Sequence, residues 1–286
     1  MRSVKIAIVT AVVGLASPAL AGRGSSPGAI QSAISSGGVD AIQSELERAE
    51  HLVCPRCVPM VRPLLDHPDQ RVRQVAAWWL GRRGLRNDLY DSMSARLTGS
   101  DPIAARNAAD VLGSLRMRLA VQPLGTLVAD ESRDPQARGA AARALGRIGE
   151  ISALPALGKA LAAGDATVRA AAVQSLRELR EFQDPTLAVP LLSDADEEVR
   201  VQAIYTIGAT RSKALVSASG EEAVRALAAL VTGDPSARVR KKAAWALGEI
   251  GAPVGLAGPA LSQAASKDSD PLVRSLAAAS QGKLAR

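Results

Sequence analysis

Apolar and polar positions along this chain recur in a fixed order. In "DEEVRVQAIYTIG" (196–208) the apolar set includes Val199, Ala203, Ile204 and Ile207; in "ARVRKKAAWALGEIG" (237–251) it includes Val239, Ala243, Ala244 and Leu247. These are positions −1, +3, +4 and +7 around Arg200 or Arg240, and they form one stripe of an α-helix. Five more segments align without gaps: "DQRVRQVAAWWLG" (69–81), "DPIAARNAADVLG" (101–113), "DPQARGAAARALGRIG" (134–149), "DATVRAAAVQSLR" (165–177) and "DPLVRSLAAASQG" (270–282). The anchor column reads Arg73, Ala105, Arg138, Arg169, Arg200, Arg240 and Arg274, at spacings of 32, 33, 31, 31, 40 and 34 residues.

The punctuation agrees with the stripe. Asp69, Asp101, Asp134, Asp165, Asp196 and Asp270 stand four residues before the anchor, where a carboxylate accepts the first free amides of a helix. Proline follows three of them, at a position where its missing N–H costs nothing. Gly81, Gly113, Gly146, Gly208 and Gly248 are expected to end the helix. A shorter apolar segment precedes the motif, as in "VPMVRPLL" (58–65), "LPALGKALAA" (154–163) and "EAVRALAALV" (222–231). Two helices per copy cannot bury their stripes alone, but stacked copies can. The expected fold is all-α: a right-handed α-solenoid of about seven helical hairpins over residues 58–286.

"DPSARVRKKAAWALGEIG" (234–251) resembles a HEAT repeat, of the short type shared with phycobilin-lyase HEAT-like proteins. The resemblance covers roughly residues 58–284. It implies that the second helix of each hairpin lines the concave face, and that the Asp and Arg columns form a ladder between units. Carried over, Asp69–Arg73, Asp134–Arg138, Asp165–Arg169, Asp196–Arg200 and Asp270–Arg274 would be rungs. The second copy departs, with Ala105 in place of arginine and Arg106 beside it. The sixth has Ser236 at the cap and Asp234 two residues earlier. Such a resemblance speaks for fold far more than for activity.

The N-terminus changes the picture of where the protein works. Arg2 and Lys5, an apolar run from Ile6 to Leu15 and Ala19-Leu20-Ala21 make a signal peptide over residues 1–21. The protein is therefore expected to be exported, periplasmic or secreted. Residues 22–28 read as a flexible linker and 29–57 as a helical cap carrying both cysteines. No later segment reads as a membrane span. The net charge is +7, but export makes nucleic acid an unfitting partner. An acidic or extended protein segment suits the charge better.

Cys54-Pro-Arg-Cys57 follows His51 at the end of the cap. Haem attachment requires a histidine at position 58, which is valine. Zinc would need four converging ligands from His51, Cys54, Cys57 and His67. Thiol–disulfide exchange is open to a Cys-x-x-Cys pair, though no βαβ pattern surrounds it. The preferred reading is a disulfide staple closed after export, contributing about 2 kcal/mol through its short loop. No cofactor or metal site is expected.

Columns +1, +2 and +5 lie off the buried stripe. They carry Gln74, Trp78, Arg106, Arg143, Tyr205, Lys241, Lys242 and Trp245. Trp, Tyr and Arg dominate binding hot spots, so these residues are the candidate partner-binding strip. Trp79, one position on, is expected to wedge between units. The extra length in "ATRSKALVSASG" (209–220) reads as a loop insertion. With only two histidines and no catalytic constellation, the chain is expected not to be an enzyme but a non-catalytic scaffold or adaptor. The alternatives are a redox accessory protein using Cys54 and Cys57, and a lyase-type HEAT-like enzyme or subunit.

Overall fold

A computed structural model describes residues 24–182, 184–209 and 218–285. Residues 1–21, where a signal peptide is expected, fall outside the described residues, as does most of the 209–220 insertion. The described chain is helical, with no strand among the described residues. Two cap helices come first, α1 (Pro27–Ser36) and α2 (Val39–Arg48), so Pro27 and Gly28 belong to a helix and not to a linker. Ser26 explains this, because its hydroxyl accepts from Ala29 N–H and Pro27 occupies the first helical turn. Then come α3 (Val58–Val61), α4 (Gln70–Gly81), α5 (Arg86–Thr98), α6 (Pro102–Ser114) and α7 (Val121–Ala129). After them run α8 (Pro135–Ile148), α9 (Leu154–Ala160), α10 (Ala166–Leu176) and α11 (Glu197–Ala209). The chain closes with α12 (Ala218–Gly233), α13 (Ala237–Glu249), α14 (Val254–Lys267) and α15 (Pro271–Leu284).

The seven motif helices are α4, α6, α8, α10, α11, α13 and α15, and each packs on the next in sequence. The preceding helices form a second, looser row; before α11 its place is taken by a 3₁₀ segment, Pro185–Ser193, with Pro190 inside it. In a curved two-layer stack the tighter row is the inner one. The stripe goes where the period puts it: Val199, Ala203, Ile204, Ile207, Val239, Ala243, Ala244 and Leu247 are all fully buried. Each valine, leucine or isoleucine buried this way stabilises the stack by about 1.5–3 kcal/mol, and each alanine by less. Every motif helix is capped by its own aspartate or serine, for example Asp101 accepting from Ile103 and Ala104, and Ser236 accepting from Val239.

The glycine column does something other than end helices. Gly113, Gly146, Gly208 and Gly248 sit inside or at the close of continuing helices, and none is among the residues of positive φ. They are points of close approach. A Cβ on Gly113 would lie 2.8 Å from the Ala144 Cα, and one on Gly146 or Gly248 would lie 2.8 Å from the Ser175 or Ser280 side chain. Turn formation falls to a second glycine three residues on, Gly149 (φ 76°) and Gly251 (φ 62°).

The Asp–Arg pairing also differs from the implied rungs. Asp69, Asp134, Asp165, Asp196 and Asp270 spend their carboxylates on the amides of their own helices. A carboxylate held over its helix end in this way is not free to pair along the stack. Arg169, Arg200 and Arg240 reach forward instead, to Asp194, Asp234 and Asp268 of the next copy, at 2.7–2.8 Å. The Nη1 atoms of Arg73, Arg169, Arg200, Arg240 and Arg274 each donate to two carbonyls just before their own helix. Where Ala105 removes the arginine, Arg133 supplies the missing donor, to the Leu97 and Gly99 carbonyls. Arg138 makes no rung and donates to the Val128 carbonyl.

Candidate functional site

Position +5 of a motif helix lies beside the buried stripe, so its side chain emerges along the inner row. On α11 and α13 that position carries Tyr205 and Trp245, whose rings stack with centroids 5.2 Å apart and planes 14° off parallel. Gly208 makes the stack possible, since a Cβ there would lie 2.7 Å from the Trp245 ring. The Arg177 guanidinium lies 4.7 Å from the Tyr205 ring centre, and the Lys242 Nζ lies 5.1 Å and 5.4 Å from the Tyr205 and Trp245 centres. Arg177 Nη1 also donates to Gln202 Oε1 at 3.1 Å. Burial pushes the Arg177 pKa down, with the nearby Glu178 and Tyr205 opposing. Neither Arg177 nor Lys242 has a carboxylate ion-pair partner among the described residues. The result is an aromatic plate, partly exposed, with two cations on it that form no ion pair with a carboxylate among the described residues.

A second cluster lies at the cap end. Trp78 on α4 has the Arg82 guanidinium 5.1 Å from its ring centre. With Gln43, Glu47, Arg71, Gln74 and Val75 it lines a hollow of about 380 Å³ between α2 and α4. Between the clusters the strip is closed by a polar knot. Asp110, only 1% exposed, accepts from Arg73, from Arg147 at 3.2 Å and from Gln70 at 2.9 Å. Arg143 lies within the field of the same carboxylate, and burial lowers its pKa.

The expected strip therefore divides. Tyr205, Trp245 and Lys242 come together, and so do Gln74 and Trp78. Arg143 belongs to the knot, and Arg106 turns to the Asn107 side chain. Lys241 is half-buried and touches neither cluster by any hydrogen bond or ring contact. Trp79 is fully buried, with its Nε1 donating to the Ala49 carbonyl of the cap. Arg177 was not legible as a site residue; its only signal is that it stands in the glycine column. Cys54 and Cys57 are joined, with Cα atoms 5.3 Å apart. Among the described residues no cluster of His, Cys, Asp or Glu could hold a metal, and no helix is long and apolar enough to cross a membrane.

The comparisons with known proteins agree with this architecture. The HEAT-repeat family profile matches residues 90–177 and 185–281. The chain is 34% identical over 151 residues to phycocyanobilin lyase subunit alpha of Picosynechococcus sp., covering 50% of this chain and 49% of that protein. It is 33% identical over 131 residues to phycocyanobilin lyase subunit alpha of Synechococcus elongatus, covering 43% and 46%. The chain thus spans about half the length of the curated relatives it matches. Among solved structures, importin beta superposes with a TM-score of 0.58 at 14% identity, over 86% of this chain and 38% of that one. A likeness at that identity speaks for the fold alone. The lyase names overturn the expectation of a chain that is not an enzyme: they point to enzymatic activity. That expectation rested on the lack of a catalytic constellation within one chain, which is a poor guide to a protein whose relatives are named as subunits. The stack itself suggests a protein-binding scaffold.

Proposed function

The chain belongs to the HEAT-repeat family, and from that premise we propose that it is a lyase-type HEAT subunit that grips an acidic, extended segment of a partner protein along its inner row. The observation that carries this reading is the Tyr205–Trp245 stack with Arg177 and Lys242 upon it. A cation on a ring contributes about 0.5–2 kcal/mol where water is displaced, and both cations keep charge to offer a carboxylate. The relatives' names supply the lyase half of the proposal; the surface supplies the binding half. Protein in the working compartment is also proposed to be exported and to begin near Gly22; N-terminal sequencing of the native protein tests both points.

The test is a titration of the purified chain with a glutamate-rich peptide, read by tryptophan emission. A second titration uses phycocyanobilin, read by its visible absorption. We expect saturable quenching by the peptide that weakens at least tenfold in Lys242→Ala and Trp245→Ala and fades with added salt. We expect the bilin spectrum to shift on mixing if the chain shares the lyase role of its relatives. Unchanged peptide affinity in both variants would remove the strip, and an unmoved bilin spectrum would remove the lyase assignment.

A further inference from the structure

The two cysteines differ in what they face. Cys54, 6% exposed, lines a hollow of about 510 Å³ together with Leu52, Val53, Pro55, Val58 and Leu85, while Cys57 is fully buried and lies off its wall. Val53 stands at the rim, 90% exposed. The same rim carries Arg82, Arg83, His51 and Glu50, and Glu50 pairs with Arg82 at 2.7 Å. One positive charge, that of Arg83, is thus left over beside the disulfide. Arg83 also fixes the loop in place. Its Nη2 donates to the Ala49, Glu50 and Leu52 carbonyls, its guanidinium lies 3.2 Å from the Trp79 ring centre, and its Nε is buried without a partner. The disulfide therefore sits on a braced turn, with Cys54 in the wall of an apolar, cation-rimmed opening.

We propose that this opening is a thiol-exchange site, in which an extended peptide segment bearing a cysteine docks against Val53 and Leu85 and presents its thiolate to the Cys54 sulfur. The thiolate forms a bond to Cys54 Sγ as the Cys54–Cys57 bond breaks. The electron pair leaves on the Cys57 sulfur, which takes up the proton that the attacking thiol had released. A second thiol of the partner then attacks the partner's sulfur in the mixed disulfide and frees Cys54 as a thiol. The partner dithiol is oxidised to a disulfide and the Cys54–Cys57 pair is reduced by two electrons. Arg83 favours the approach of a thiolate over a neutral thiol, and the apolar wall favours a peptide over a small hydrophilic thiol. This site lies at the cap and stands or falls apart from the inner strip.

The probe is a synthetic peptide with one cysteine between apolar and acidic residues, incubated with the full mature chain; glutathione is the small-thiol arm. After acid quenching, trypsin cuts behind Arg56 and parts the two cysteines, so the adduct can be assigned by mass. We expect the peptide on Cys54 at least tenfold over Cys57, formed at least tenfold faster than the glutathione adduct. Val53→Ser, a change at an exposed rim position that leaves the core untouched, should lower the peptide rate severalfold and leave the glutathione rate alone. An adduct on Cys57, or a pair that opens only in denaturant, would overturn the site. Equal rates for the two thiols, or a peptide rate unmoved by Val53→Ser, would overturn the docked peptide.

Discussion

The two ends of the stack solve one problem differently. From α10 onward the arrangement is periodic: Arg169, Arg200 and Arg240 each make a two-pronged pair with an aspartate of the following copy, and each also satisfies two carbonyls behind it. From the cap to α8 it is bespoke. Arg73 turns to Asp110 on the next motif helix, α6, Arg133 fills in for the absent arginine at Ala105, and Arg138 donates to a carbonyl. The difference follows from the neighbours. A copy between two like copies can repeat their contacts, whereas copies next to the cap must fit α2, which has no motif. Trp79 marks the junction: its column holds Ala144, Ser175 and Ala246 in other copies, but the cap leaves room for an indole.

The largest test of this contrast is Asp110→Ala set against Asp268→Ala. Asp110 compensates Arg73 and Arg147, and Arg73 is itself 3% exposed. Removing it strands a buried cation and should cost about 3–5 kcal/mol. Asp268 pairs with Arg240 and accepts from the Asp270 amide, and loss of the pair should cost about 1.5–3 kcal/mol, the range for a hydrogen bond to a charged group. Chemical unfolding of the three proteins measures both. Equal costs would mean that the two kinds of rung are energetically alike and that the contrast is one of geometry only.

A smaller effect separates an interior copy from the last one. Gly113→Ala would place a Cβ 2.8 Å from the backbone of α8, so α6 and α8 must part; overpacking of this kind costs about 1–3 kcal/mol. Gly282 holds the same column in the last copy, and a Cβ there meets nothing within 4 Å. Gly282→Ala should be neutral or stabilise by up to about 1 kcal/mol, the helix propensity difference. Thermal melting of the pair decides it. A destabilised Gly282→Ala would show that the column is read by the helix itself and not by its neighbour.

These positions show how far the sequence could be read. The stripe, the aspartate caps and the number of motif helices follow from local rules of spacing and amide capping, and the chain carries them openly. The glycine column was misread because a glycine near a helix end is usually a terminator; "LGRIG" and "LGEIG" contain two glycines, and only the second turns the chain. The rungs were misassigned because Asp194, Asp234 and Asp268 occur in only three copies and act on the copy before. Of the strip, the +5 column identified Tyr205 and Trp245, while Arg177 was hidden by standing where a glycine was expected. Contacts between copies depend on how two helices cross, and spacing within one copy does not encode that.

Acid offers the finest comparison, because it weakens the periodic half through identifiable groups. The hydrogen bonds from Arg169 and Arg240 are the leading cause that holds the Asp194 and Asp268 carboxyls below their ordinary range, against the opposing pull of burial. A carboxyl whose folded value is lowered contributes stability that is fully present above its unfolded value, near 3.9, and is lost as the pH falls through the folded value. Between pH 5 and pH 2 the wild-type protein should therefore lose more stability than the Asp194→Asn/Asp268→Asn double variant. The two melting curves should converge as the acid protonates what the substitution has already neutralised. Parallel curves over that range would mean that the rungs contribute geometry without linkage, and would leave the acid sensitivity of the stack to carboxylates elsewhere, such as Asp66, where burial is the largest single influence and raises the pKa, but the bonds from Arg96 and Asn107 together with the charges of Arg96 and Arg73 lower it on balance.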